Sequence, residues 1–200
     1  MQHYKQTTKY TCAAASLAMI INHFKPEFEL SVENEFDIWH CSAALPTKGS
    51  SIYALASYAG GNGVPVMVVV GEKEYKFPGY KFKAYKKKEI EIAAQSTQFY
   101  YEKAEDTGIT IEVRDFSLDE VKNLLAQGKV LLLRLIVGIV RQSRDNKRNP
   151  HYLPVYGFEK GKFLVMDPRF GAKKVDEGVV QEAFDKVVEV KRDHRMIVFG

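Results

Sequence analysis

The chain has 200 residues, 46% apolar and 27% charged, with 29 Lys and Arg against 25 Asp and Glu for a formal net charge of +4. That size allows a core needing no metal or disulfide staples, and the composition excludes collagen-like, disordered and disulfide-stapled classes. A surplus of four charges is too weak a field to demand a nucleic-acid partner, and the two cysteines, Cys12 and Cys41, suit a reducing compartment.

The chain opens Met1-Gln2-His3-Tyr4-Lys5-Gln6, with no apolar signal core behind the charges, so a soluble, cytoplasmic protein is expected. Apolar residues then recur at spacings of three and four through Leu17, Ile20, Ile21 and Phe24, which predicts an amphipathic helix from Cys12, with Thr11 as N-cap and Pro26 as its stop. A second helix is expected over 51–59, halted by Gly60-Gly61-Asn62-Gly63, and a strand over 64–70. Residues 71–115 open with a run rich in lysine and tyrosine. Its alternation of Tyr75, Phe77 and Tyr80 with Lys76 and Lys81 predicts a solvated hairpin, and a nucleic-acid surface is the less favoured reading. A helix over 90–104 and a strand over 109–113 follow.

In the second half, Ser117 and Glu120 form a capping box for a helix stopped by Gly128. Strands are expected over 130–137, 152–158, 162–166 and 196–199, with a helix over 180–190. The apolar run 130–140 is too short to span a membrane and carries Arg134. Helices followed by a run of strands give an α+β class.

The chemistry starts from a thiol at a helix start, where backbone N–H groups and the helix dipole favour the thiolate. A buried, inert cysteine is the plainer alternative. His151 opens one predicted strand and Asp167, sixteen residues on (167 − 151), closes the next. An antiparallel pairing brings such positions together, so Asp167 is expected to accept from the His151 ring and fix its tautomer. Gln6, six residues before Cys12 (12 − 6), is a candidate donor to an oxyanion beside the Cys12 N–H. No CxxC or HxxxH spacing is present, His40 and Cys41 are adjacent, and the Gly60–Gly63 run lacks the Lys-Ser/Thr of a phosphate loop, so neither metal nor cofactor is expected. Cys41 is expected to be a bystander.

Together, Gln6-Thr-Thr-Lys-Tyr-Thr-Cys12-Ala-Ala-Ala-Ser-Leu-Ala-Met, Gly49-Ser-Ser-Ile-Tyr53-Ala-Leu55 and His151-Tyr-Leu-Pro-Val-Tyr-Gly157 through Asp167-Pro168 resemble the papain-like cysteine peptidases, and within them the bacteriocin-processing, double-glycine leader peptidases. The resemblance implies a papain-like α+β fold with the cysteine helix packed on an antiparallel sheet. It also implies Cys12 as nucleophile, His151 as general base and acid, Asp167 orienting His151, and Gln6 in the oxyanion hole. One domain over 1–200 is expected, with an unmatched insertion at about 71–115. Where the family usually has Asp-Cys-Gly, this chain has Thr11-Cys12-Ala13; the lost acid and the added methyl set it apart from the usual double-glycine specificity.

The expected activity is hydrolysis of a peptide or amide bond through a thioester. Transfer to an amine by the same machinery, and a catalytically inactive papain-like binding module, are the alternatives. The basic loop Arg141, Arg144, Lys147, Arg148 just before His151 is expected at the mouth of the site, where it would favour an acidic substrate. No membrane partner is expected, and the sequence leaves the oligomeric state open.

Overall fold

The computed structural model describes residues 1–77, 79–143 and 149–200, with the side chains at 80 and 81 outside the description. Helix α1 (Cys12–Phe24) starts and stops where predicted and buries every residue from Ala13 to Ile21. A helix buried nearly all round belongs in a core rather than on a surface. Thr11 sits at its N-cap but supplies no capping bond; its hydroxyl meets that of Thr8 at 3.0 Å instead.

Helix α2 (Val32–Ser42) is an element the hydrophobic pattern does not announce, since only Glu35, Ile38 and Ser42 of it are buried. What holds its start is local: Ser31 accepts from the Asn34 N–H at 3.2 Å, and Glu33 and Glu35 stand in the first turn against the positive end of the dipole. Helix α3 (Ile52–Gly61) and strand β1 (Val66–Val70) follow as expected.

Residues 71–115 differ from expectation. No hairpin forms among the described residues. Residues 71–77 are irregular, and beyond them come the short helix α4 (Gly79–Phe82), α5 (Lys87–Asp106) and strand β2 (Thr110–Val113). The carbonyls a hairpin partner would satisfy are taken by guanidinium groups: Arg195 Nη2 donates to Glu72 O at 2.9 Å and Glu74 O at 3.2 Å, and Arg192 Nη1 to Lys76 O. The aromatics gather on one another, Tyr75 on Phe77 and Phe77 on Phe82, with ring centroids 4.7 and 5.0 Å apart. Tyr80 and Lys81, part of the expected alternation, have side chains outside the description. Helix α5 packs on α3, with Tyr101 edge-on to Tyr53 at 5.0 Å.

The rest is α6 (Leu118–Ala126), β3 (Val130–Ile136), α7 (Val137–Val140), β4 (Pro150–Glu159), β5 (Lys162–Asp167), β6 (Gly171–Asp176), α8 (Glu177–Glu189) and β7 (Arg195–Phe199). Ser117 caps α6 as predicted, accepting from Glu120 N at 3.2 Å. Among the described residues the strands form one seven-stranded sheet in the order β2-β1-β7-β3-β4-β5-β6. Neighbours are antiparallel except β1 and β2, whose connection through α5 returns the chain in the same direction. Side chains alternate across the sheet. Leu132 and Ile197 face α1 and α3, while Leu131, Leu133 and Val198 face α6 and α8, so the molecule is an α+β layered structure with a core on each face of the sheet. Helix α1 lies on β4, and Ser16 Oγ donates to Tyr152 O at 3.3 Å. That bond fixes α1 one turn beyond Cys12 and β4 one residue beyond His151.

Candidate active site

The thiol and the imidazole meet at the tips of these two elements. Cys12 is the first residue of α1 and His151 the second of β4, and Cys12 Sγ lies 3.1 Å from His151 Nδ1. Cys12 is partly exposed, as a reacting thiol must be. Thr11 gives no side-chain cap to the first turn of α1, whose N–H groups form the positive end of the helix dipole. Cys41 is elsewhere, exposed on α2, with its thiol pushed up by partial burial and by the Asp37 carboxylate.

The other two predicted groups are engaged elsewhere. Gln6 Nε2 donates to Thr8 O, and the Gln6 backbone N–H donates to Pro168 O at 2.8 Å, which holds the N-terminal segment against the end of β5. Glu35 anchors the same segment. Its fully buried carboxylate accepts from Thr7 N at 2.9 and 3.1 Å, from Tyr4 OH at 2.9 Å and from Thr7 Oγ1. Asp167 is also fully buried. The hydrogen bond expected between Asp167 and His151 is not made among the described residues. Arg141 takes both Asp167 oxygens, Nε to Oδ2 at 2.7 Å and Nη2 to Oδ1 at 2.9 Å, and Arg169 N adds a third bond at 2.8 Å. Burial alone would raise the Asp167 carboxyl, but the Arg141 guanidinium and the Arg169 N–H outweigh it and hold it below its usual range. Arg141 was expected at the mouth of the site; it points inward because a buried carboxylate needs a cation. Arg144, Lys147 and Arg148 lie outside the described residues.

Cys12 and His151 open onto a cleft of about 390 Å³. Its lining includes Tyr10, Ala13, Ser50 and Ser51 together with Arg134, Arg192 and Arg195. Two of these arginines come from the sheet. Arg134 on β3 and Arg195 on β7 project from neighbouring strands, and Asp193 bridges them, Oδ1 to Arg134 at 3.0 Å and Oδ2 to Arg195 at 2.7 Å. Asp193 also accepts from Glu72 N at 3.2 Å. The Arg134 guanidinium sits between the rings of Tyr75 and Tyr152, 5.4 and 5.6 Å from their centroids. Burial pushes Tyr53 up to about 12 and raises Tyr152 as well, so both phenols stay neutral at physiological pH.

Sequence reasoning placed Cys12 and His151 side by side and missed the arginine wall. A signal was present: Arg134 interrupts an otherwise apolar strand, and Arg192-Asp193-His194-Arg195 leads directly into a buried one. Charges inside buried strands require partners, and Asp193 is one shared by Arg134 and Arg195. No group of three or more His, Cys, Asp or Glu suited to a metal gathers among the described residues, and no helix among them is long and apolar enough to cross a membrane.

Comparison with solved structures finds chains of similar fold, three of them as follows. A protein from Bacillus anthracis described as a C39-like peptidase is 9% identical, with 100% of this chain and 94% of that one covered at a TM-score of 0.55. A double glycine motif protease from an AMS/PCAT transporter, solved with the leader peptide, is 14% identical over 99% of this chain and 90% of that one, at a TM-score of 0.49. The peptidase domain of Streptococcus ComA, a bi-functional ABC transporter involved in a quorum sensing pathway, is 10% identical over 98% and 96%, also at 0.49. No curated protein matches. The Bacillus anthracis structure shares the papain-like fold. A family model described as "Peptidase_C39 like family" matches residues 1–200. With the order of its elements, its paired thiol and imidazole and this match over its whole length, the chain belongs to the Peptidase_C39-like family.

Proposed function

We propose that the protein is a cysteine peptidase that hydrolyses a peptide or amide bond through a thioester on Cys12. The observation that carries this reading is the 3.1 Å contact between Cys12 Sγ and His151 Nδ1 at the start of α1, inside a cleft. Proton transfer from thiol to imidazole gives a thiolate stabilised by the imidazolium and by the helix start. The thiolate attacks the substrate carbonyl carbon, and the oxyanion is held by the Cys12 N–H and Gln6. As the C–N bond breaks, the His151 imidazolium gives its proton to the leaving amine. Water then gives a proton to His151 and attacks the thioester, releasing the acid and the thiolate.

Asp167 and Gln6 enter as positioning and oxyanion groups that must exchange partners to act. Asp167 turns from Arg141 to the far side of the His151 ring, and Gln6 from Thr8 O to the oxyanion. Substrate binding drives both exchanges, because each breaks a bond made in the resting geometry. The chain forms one domain, with 71–115 as part of it: β2 pairs with β1, and α5 covers α3.

The test is the pH dependence of iodoacetamide alkylation, read peptide by peptide, in wild type and His151→Ala. Cys12 is expected to react well below the free-thiol value of about 8.5, and to lose that reactivity in the variant. Cys41, whose thiol is pushed up, serves as the slow internal reference. Cys12 titrating like an ordinary thiol in both proteins would sink the reading.

A further inference from the structure

We propose that the arginine end of the cleft is a carboxylate-binding subsite, so that the substrate carries an acidic group within about three residues of the bond at Cys12. The placement of that group relative to the bond rests on the peptidase reading above; the subsite itself does not.

The reasoning is one of charge balance. Five cationic side chains, Lys9, Lys48, Arg134, Arg192 and Arg195, line the cleft, and no acidic residue does among the described residues. Three of the five are buried: Arg134 is 4%, Arg192 5% and Arg195 1% exposed. Arg134 and Arg195 share one carboxylate, Asp193. Tyr53 and Tyr152 beside them are held protonated by burial and add no negative charge. Two buried guanidinium groups on a single carboxylate carry one more positive charge than negative, which is costly to keep and calls for an anion.

Arg134 shows where that anion sits. Its described hydrogen bonds leave from Nη1, to Asp193 O at 3.1 Å and Asp193 Oδ1 at 3.0 Å. Its Nε and Nη2 bond nothing among the described residues, although the side chain is almost wholly buried and lines the cleft. These two N–H groups lie on one edge of the planar fork, the edge a carboxylate grips with both oxygens. Two further donors belong to the same lining: Ser50 Oγ and Ser51 Oγ are buried with no partner among the described residues.

The sheet register limits the reach. Arg134 pairs with Tyr152, the residue after His151, and an extended chain advances ~3.3 Å per residue. A carboxylate at the Arg134 fork therefore belongs to a residue close to the reacting carbonyl. Either an Asp or Glu side chain or a free chain terminus supplies that chemistry.

The test is calorimetric titration of the full-length Cys12→Ala protein, which binds without turning over. Three blocked tetrapeptides are the probes: one with an internal Glu and an amidated end, the same with Gln, and an all-alanine peptide with a free carboxyl end. One of the two carboxylate peptides is expected to bind at least about tenfold more tightly than the Gln peptide, and which one does identifies the source. Arg134→Gln in the same background should reduce that preference to under twofold. Arg134→Lys, which keeps the charge but not the fork, should restore part of it and shows that the loss is not simple misfolding. Equal affinity for all three peptides, no measurable binding of either carboxylate peptide, or a preference that survives Arg134→Gln would overturn the subsite. If the preference is present while wild type cleaves none of a peptide library, the subsite stands and the peptidase reading falls.

Discussion

At one end of the cleft Cys12 and His151 face each other from the tips of α1 and β4, partly exposed and 3.1 Å apart. Elsewhere in the same lining Arg134 and Arg195 project from the middle of the sheet, buried and tied through Asp193 to each other and to the segment after β1. The thiol end is held from outside itself: Ser16 aligns the two elements, and the pair can be altered with little effect on the core. The arginine end is part of the core. Chemistry at element tips and recognition inside the sheet should therefore respond to mutation in opposite ways, one through rate and the other through stability.

The sharpest way to break this contrast is Cys12→Ala. Removing the nucleophile should lower peptide hydrolysis by at least about 10³-fold, with the thermal midpoint unchanged, as read by a cleavage assay and a melt on the same sample. Asp193→Ala should do the reverse to the fold. It leaves two buried guanidinium groups side by side, at a cost of about 3–5 kcal/mol in urea unfolding. A loss below about 1 kcal/mol there would mean the arginines find other partners, and the contrast would fail.

Asp167→Asn tests the end of β5, on the other side of β4 from the arginines. The Asp167 carboxyl is held low in the folded state by Arg141, whereas its unfolded value is about 3.9. Between those values the unfolded chain binds more protons, so stability rises with pH. The contribution is complete above the unfolded value and disappears as pH falls through the folded one. Wild type should exceed Asp167→Asn by about 2 kcal/mol at pH 7, and the gap in urea midpoint should narrow between pH 5 and pH 3. A gap that is constant with pH would show that the pair with Arg141 does not form. The smallest effect is expected at Ser117→Ala, far from both ends, where losing the α6 cap should cost about 1 kcal/mol and leave cleavage untouched.

The thiol end was legible in the sequence because its signals are local. A cysteine between a polar stretch and an apolar 3–4 repeat marks a helix start, and a histidine opening a β-branched run marks a strand start. The Ser117 cap of α6 and the glycine stop after α3 are legible for the same reason, although the Glu120 carboxylate bonds Arg114 rather than closing a capping box. The arginine end was not, because what makes Arg134 functional is Asp193, 59 residues away on a different element. Helix α2 escaped because its amphipathic stripe is thin, and only the Ser31 cap and acidic first turn gave it away. The Lys/Tyr stretch misled because alternation was read as a strand, whereas its backbone carbonyls are claimed by Arg192 and Arg195. Asp167 was correctly placed at the end of β5, but its principal partner is a cation that the sequence could not assign to it.

The position of β7 in the sheet has a kinetic consequence. It lies between β1 and β3, pairing Val68 with Ile197 and Leu132 with the same Ile197. The first of these spans 129 positions (197 − 68), and contacts so distant in sequence are slow to form, since the loop must close before the ladder gains anything. Until residues 195–199 are inserted, β1 and β2 on one side and β3 to β6 on the other are separate half-sheets. Arg195, the first residue of β7, completes the recognition wall at the moment the halves are joined. A chain interrupted before that point would carry both Cys12 and His151 yet lack the subsite beside them, so an incompletely folded copy holds its thiol without the means to select a substrate.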